Sequence, residues 1–296
     1  MNPNNRFDEL KTYLQTQGWQ WKPGADVPHG EQIIVFAAGM KAIVNFWPKR
    51  GTFHLQGPDS PLKAALQGWL DEGTEAAAIP LPHLGLDEAG KGDWFGPLVV
   101  AGVYLDAEAG SALRRLGVRD SKALAGAALR RIAAQIERRL PEVGRRVRVI
   151  DPRTYNELYG QYNNVNRLLA EVYAEVAEQV WRATGAPAIV CDQFSRRTDR
   201  LAEAFAARDL PAPVQQHRAE LVSLAVAAAS ILAVAAFDEA LARLGRQAGL
   251  DRPLPKGASD LNALEAAARH ILHRQGRQAL GRYAKLNFKP VRKLLA

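Results

Sequence analysis

The stretch that decides the reading is Leu84-Gly85-Leu86-Asp87-Glu88-Ala89-Gly90-Lys91-Gly92-Asp93-Trp94-Phe95-Gly96-Pro97. A short strand-like run ends in two adjacent carboxylates and then turns on glycine. Side chains alternate across a strand, so Asp87 and Glu88 are expected to point to opposite faces. The Gly90-Lys91-Gly92 turn brings bare backbone N–H groups close to whatever binds there, because glycine has no Cβ. Carboxylates beside such backbone suit a divalent metal together with a phosphate, and so phosphodiester chemistry.

Charge points the same way. The chain has 296 residues, with 39 Lys and Arg against 31 Asp and Glu, a formal net charge of +8. After Glu265 no acidic residue follows, whereas Arg269, Arg274, Arg277, Arg282, Lys285, Lys289, Arg292 and Lys293 do. A one-signed segment of this kind reads as a phosphate-binding surface. No apolar run of transmembrane length is expected, and the start, Met1-Asn2-Pro3-Asn4-Asn5-Arg6, carries no signal-peptide core. The single cysteine, Cys191, excludes an intramolecular disulfide and a thiolate zinc cluster. These features predict a cytoplasmic protein with no membrane partner.

A boundary is expected at residues 73–82, which are polar, then small, then punctuated by Pro80 and Pro82. Before it, residues 1–72 read as a small α+β unit: a helix over 6–17, strands over 31–37, 40–47 and 52–56, and a closing helix over 61–69. The turn Pro48-Lys49-Arg50-Gly51, flanked by Trp47 and Phe53, reads either as a nucleic-acid contact or as a solvated tip above two core aromatics. After the boundary, residues 83–296 alternate strands and helices, predicting an α/β layer with a mixed sheet flanked by helices. Strands are expected over 84–87, 98–105, 147–150 and 188–191. Helices are expected over 113–116, 123–140, 166–183 and 221–244, the last alanine-rich and buried.

Two more carboxylates stand at element ends. Asp192 follows Ile189-Val190-Cys191 at the carboxyl end of a buried strand, where α/β sheets gather their sites; it also suits an Asx turn. Glu220 is expected to open the long apolar helix, where it could simply complement the helix dipole. Asp120-Ser121-Lys122 reads as a helix cap. Ser195 and Ser230 have no histidine beside them in sequence, so a nucleophilic triad has no support.

The segment Asp87 to Pro97 resembles the signature of the type 2 ribonucleases H, and its Gly-Asp-aromatic-Phe-Gly-Pro ending is similar to the HIII group of that family. The resemblance continues in order through Asp120-Ser121-Lys122, Asn163 to Ala170, Cys191-Asp192-Gln193-Phe194, Ala219-Glu220, Val226 to Ile231, Leu254 to Ala258 and Ala284 to Phe288. Residues 1–72 look like the TATA-binding-protein-like domain that precedes the catalytic domain in that group. The resemblance implies a ribonuclease H-like fold over 83–296. Asp87, Glu88, Asp192 and Glu220 would be the catalytic carboxylates and the ligands of two Mg²⁺ or Mn²⁺ ions about 3.5–4 Å apart. Glutamate at 220 favours HIII over HII. Gly90, Lys91 and Gly92 would contact the RNA strand, and Lys122 a phosphate.

The implied activity is hydrolysis of the RNA strand of RNA/DNA hybrids, leaving 3′-hydroxyl and 5′-phosphate ends. The implied form is a monomer, with residues 1–72 as a further surface for DNA. Two alternatives stay open: HII-like cleavage at single ribonucleotides embedded in DNA, and hybrid binding without catalysis. The absence of an HII-type Gly-Tyr stretch near 254–258 counts against the first, and the presence of all four acids counts against the second. Lys91, where the group usually has a smaller residue, and Asn287, where histidine is common, depart from the pattern.

Overall fold

A computed structural model describes residues 3–48, 52–72, 78–118, 126–195 and 197–295. The chain separates into two compact units, Met1–Ala77 and Ala78–Ala296.

In the first unit, helix α1 (Pro3–Thr16) leads into strands β1 (Gln20–Pro23), β2 (Glu31–Ala37), β3 (Met40–Trp47) and β4 (Thr52–Gln56), followed by helix α2 (Pro61–Glu72). The four strands form one antiparallel sheet in chain order. Alternate residues of β2 and β3, Ile33, Val35, Ala42, Val44 and Phe46, pack against Phe7, Leu10 and Leu14 of α1 and Leu62 and Leu66 of α2. Phe46 anchors this core, its ring 4.8 Å from Phe7 and 4.7 Å from Phe53. Phe53 therefore belongs to the core, and the Trp47 ring lies against Gly30. Residues 49–51, the tip between them, lie outside the described residues.

In the second unit the elements run β5 (His83–Ala89), β6 (Leu98–Leu105), α3 (Ala107–Arg115), α4 (Gly126–Arg139), β7 (Arg145–Ile150), α5 (Pro152–Tyr162), α6 (Val165–Thr184), β8 (Ile189–Asp192), α7 (Asp199–Ala206), β9 (Val214–Gln216), α8 (Leu224–Gln247), α9 (Leu261–Gln275) and α10 (Lys289–Leu295). The sheet order is β7-β6-β5-β8-β9. β5, β6 and β7 pair antiparallel, whereas β8 and β9 add to β5 in parallel. The sheet is thus mixed, as the alternation of elements predicts.

The period of two in β5 and β6 builds two cores. Leu84, Leu86, Leu98 and Val100 face α5, α6 and α7. Ala89, Val99, Ala101 and Val103 face α8. Opposite Val103, α8 lies so close to the sheet that a Cβ at Gly85 would stand 2.2 Å from the Val226 nitrogen. Alanines along α8 permit that approach. By length and composition α8 is apolar enough to cross a membrane, which corrects the expectation that no such run exists. Most of its residues are buried inside the protein, and it serves as the central core helix.

The helix also begins later than the pattern suggests. Ser223 is extended and its Oγ accepts from the Val226 N–H at 3.1 Å, capping α8. Glu220 therefore does not open the helix. It sits in a separate 3-10 turn, Ala219–Leu221, entered through Arg218 in the left-handed region (φ 54°). A serine cap three residues on satisfies the orphan N–H groups better than Glu220 would.

Candidate active site

The two adjacent acids of β5 go to opposite faces, as strand alternation requires. Asp87 turns toward α8 and bonds Ser230 there. Its Oδ1 also accepts from the Glu88 N–H at 2.8 Å. Glu88 turns toward α6, where the Tyr173 hydroxyl donates to its Oε2. Asp192 ends β8, the parallel neighbour of β5. Its Oδ1 accepts from the Ala219 N–H at 3.1 Å, tying that strand end to the 3-10 turn that carries Glu220. Glu220 itself is buried.

Asp87 feels the charges of Glu88 and Asp192, and Glu88 feels that of Asp192. Burial, the Glu88 charge and the Asp192 charge together push Asp87 up to about 8, against the hydrogen bonds from Ser230 and from the Glu88 N–H. Glu88 is also raised, by burial first and by Asp192, while Tyr173 and Lys91 pull it down. Buried like charges at one sheet end behave this way until a cation balances them. The donor set is entirely carboxylate oxygen, which suits Mg²⁺ or Mn²⁺ over softer metals. Among the described residues no three acidic, histidine or cysteine side chains close into a metal cage. The acids bond protein donors: Asp87 to Ser230, Glu88 to Tyr173 and Asp192 to the Ala219 N–H. The set fits divalent ions by chemistry and charge.

The glycine turn follows directly. Gly90 has φ 86°, and a Cβ there would meet the Pro97 carbonyl at 2.2 Å, so only glycine fits. Gly92 is exposed, with open space where a Cβ would stand. Lys91 does not extend into solvent. Its Nζ donates to the Phe194 carbonyl at 2.8 Å and lies 4.8 Å from that ring's centroid, in the field of Glu88 and Asp192. Lys122 lies outside the described residues, as do Asp120 and Ser121.

Several contributors carry no signal of function in the sequence. Tyr173 reads as one more residue on the apolar face of a helix. Asp93 accepts from the Gly257 N–H at 2.5 Å and so pins the 254–258 loop to the glycine turn. Lys285 looks like part of the basic tail, yet it is buried. Its Nζ donates to the carbonyls of Asp93 (3.2 Å) and Gly96 (2.7 Å), cross-bracing the turn from beneath. This removes it from the phosphate-binding surface proposed for residues 269–293. The other seven basic residues of that set are exposed, Arg269 paired with Glu265.

A mixed sheet sandwiched between α8 and α6, with acids gathered at the ends of β5 and β8, is the architecture of a nuclease of the ribonuclease H type. The family model described as Ribonuclease HII matches residues 84–291, and the chain belongs to that family. Its relatives include Ribonuclease HIII of Protochlamydia amoebophila, 40% identical over 215 residues, covering 72% of this chain and 68% of the relative. Among solved structures, Bst-RNase HIII in complex with Mn²⁺ superposes with a TM-score of 0.66 at 27% identity, covering 97% of this chain and 95% of that one. Ribonuclease HII of Archaeoglobus fulgidus, solved as a complex with PCNA, gives a TM-score of 0.59 at 27% identity. It covers 96% of its own length but only 71% of this chain, so the extra length here is shared with the HIII structure and not with the archaeal HII. The protein is a ribonuclease H, an endoribonuclease of RNA/DNA hybrids that works with divalent metal ions.

Proposed function

We propose that Asp87, Glu88, Asp192 and Glu220 are the catalytic carboxylates, and that together they hold two Mg²⁺ or Mn²⁺ ions. The observation that carries this reading is the convergence of three half-buried acids, Asp87, Glu88 and Asp192, at two neighbouring strand ends, with buried Glu220 joined to them through Ala219. Divalent ions bound there supply a lowered pKa for the attacking water and charge balance for the leaving 3′ oxygen, giving 5′-phosphate and 3′-hydroxyl products. The chain's own groups do the positioning. Ser230 and Tyr173 fix the two β5 acids from either side of the sheet. The backbone of Gly90, Lys91 and Gly92 is assigned to reading 2′-hydroxyls, the group that separates RNA from DNA; the open space at the Gly92 Cα supports this. Lys91 supplies a cation beside the acids, and Lys122 is assigned to a flanking phosphate.

Residues 1–72 are assigned as the TATA-binding-protein-like substrate-binding domain, 73–82 as the linker and 83–296 as the catalytic domain. One observation supports the first assignment: on the sheet face away from α1 and α2, exposed Lys22 lies 5.6 Å from the ring of Phe36. A cation beside an aromatic suits nucleic-acid backbone and base. All four acids come from one chain, which supports a monomer, and a hybrid substrate supports action in the cytoplasm without a membrane partner.

The test is cleavage, in Mg²⁺ and in Mn²⁺, of two end-labelled duplexes, one with a continuous RNA strand on DNA and one with a single ribonucleotide in DNA. Cutting of the first alone is expected. Efficient cutting of the second would move the specificity to the HII type, and tight binding with no cutting of either would leave a binding protein.

A further inference from the structure

Tyr173 is fully buried at mid-length of α6, among Leu169, Ala170, Val176 and Ala177. Packing alone would be met there by phenylalanine. The one polar atom that the residue adds is its hydroxyl, and it donates to Glu88 Oε2. The ring is held from the other side by Phe194, two residues beyond Asp192, at 5.1 Å between centroids. Phe194 is in turn gripped by Lys91 of the glycine turn, through its carbonyl and its ring. The pair Tyr173 and Phe194 thus links four elements of the site: β5, the glycine turn, the segment just after β8, and α6.

Glutamate has three side-chain torsions, and ordering them costs free energy unless a partner fixes them. We propose that Tyr173 is a positioning residue for the ribonuclease: its O–H fixes one oxygen of Glu88 so that the other is presented to the divalent ion, and Phe194 locks the phenol in place. Outer hydrogen bonds of this kind set ligand orientation and metal affinity, and their loss costs about tenfold to a hundredfold in affinity.

This inference rests on the assignment of Glu88 as a metal ligand. The test is Mn²⁺ binding to the full chain, followed by electron paramagnetic resonance of the free ion, for the parent, Tyr173→Phe, Glu88→Gln, the double variant and Asp87→Asn. Tyr173→Phe is expected to weaken Mn²⁺ binding about tenfold or more. It should also lower kcat on a hybrid at fixed Mn²⁺ while the KM for the hybrid stays unchanged. In the Glu88→Gln background the same substitution should change Mn²⁺ affinity by less than about twofold, because contributions made through one residue are not additive. A general packing defect would act equally in both backgrounds, and equal effects there overturn the inference even if stability falls. Parent-like Mn²⁺ affinity in Tyr173→Phe overturns it as well. Asp87→Asn separates the two readings: if it binds Mn²⁺ as the parent does, the site assignment itself fails, whereas lost binding there beside parent-like Tyr173→Phe sinks only the role of Tyr173.

Discussion

Replacing Gly85 by alanine should force the sheet and its central helix apart. The added Cβ would stand 2.2 Å from the Val226 nitrogen, 2.3 Å from the Ala225 carbonyl carbon and 2.8 Å from the Ala225 Cβ. Carbon contacts settle at about 3.5–4.0 Å, so β5 and α8 must separate by about 1 Å or more. Two of the three atoms are backbone and cannot rotate away. The helix has little room to yield, since His83 of β5 bonds Ser223 at its start and Gly90 lies under Phe237 farther along. Overpacking costs about 1–3 kcal/mol, and a backbone clash places this change at the upper end. At about 2–4 °C per kcal/mol for a unit of this size, the transition of the larger unit should fall by about 6–12 °C. Asp87, two residues on, bonds Ser230 of the same helix, so cleavage at 25 °C should fall too. Differential scanning calorimetry and a hybrid-cleavage assay read both effects. A Gly85→Ala protein melting within about 2 °C of the parent would refute the claim that the glycine sets the distance between β5 and α8.

Other outcomes follow from the same geometry. Asp87→Asn or Asp192→Asn should abolish cleavage while hybrid binding, followed by fluorescence anisotropy, stays within severalfold; binding lost in parallel would assign those acids a structural role. His83 gives stability a pH dependence. Its Nδ1–H donates to the Pro80 carbonyl at 2.9 Å, which leaves Nε2 to accept from Ser223 at 2.7 Å, and burial holds the ring below its ordinary value. With the folded pKa depressed, the unfolded chain binds the extra proton first, so stability is full above about pH 6.5 and falls below it by up to about 1.4 kcal/mol per unit. Urea midpoints between pH 5 and 7 should show this slope, and it should shrink in His83→Gln; an unchanged slope there would assign the effect elsewhere. Lys285→Met strands the carbonyls of Asp93 and Gly96 and should cost about 2–4 kcal/mol in urea unfolding, whereas an unchanged midpoint would show that water replaces the ammonium.

Much of the fold was legible in local pattern. The strands Glu31–Ala37, Met40–Trp47, Thr52–Gln56 and Leu98–Leu105 fall where β-branched and aromatic runs place them. Other elements were not foreseen. β1 (Gln20–Pro23) and β9 (Val214–Gln216) are short edge strands with little apolar pattern, and they form because a neighbouring strand offers a ladder. The helices Pro152–Tyr162, Asp199–Ala206 and Leu261–Gln275 were also not foreseen: the first buries little beyond Tyr155, whereas the other two carry short amphipathic patterns, with Leu201 and Phe205, and Leu264 and Ile271, facing the core, that the sequence reading passed over. The late start of α8 turned on one capping serine, which competes with Glu220 for the helix start and wins by bonding an orphan N–H.

What the sequence by itself determined was the chemistry on offer: two adjacent acids at a strand end, a glycine turn that only glycine can make, an acid after a second buried run, and an excess of positive charge. Period-two alternation was enough to send Asp87 and Glu88 to opposite faces, because that rule is local. What only the tertiary structure decided was the company each acid keeps. Parallel pairing of β8 with β5 brings Asp192 beside Asp87 from more than one hundred positions away in the chain. Packing of α6 and α8 on the two faces supplies Tyr173 and Ser230 as partners. The buried bond of Lys285 to the turn makes a structural brace out of what looked like surface charge. Contacts between distant segments depend on how layers stack, and no periodicity within a segment records its neighbour.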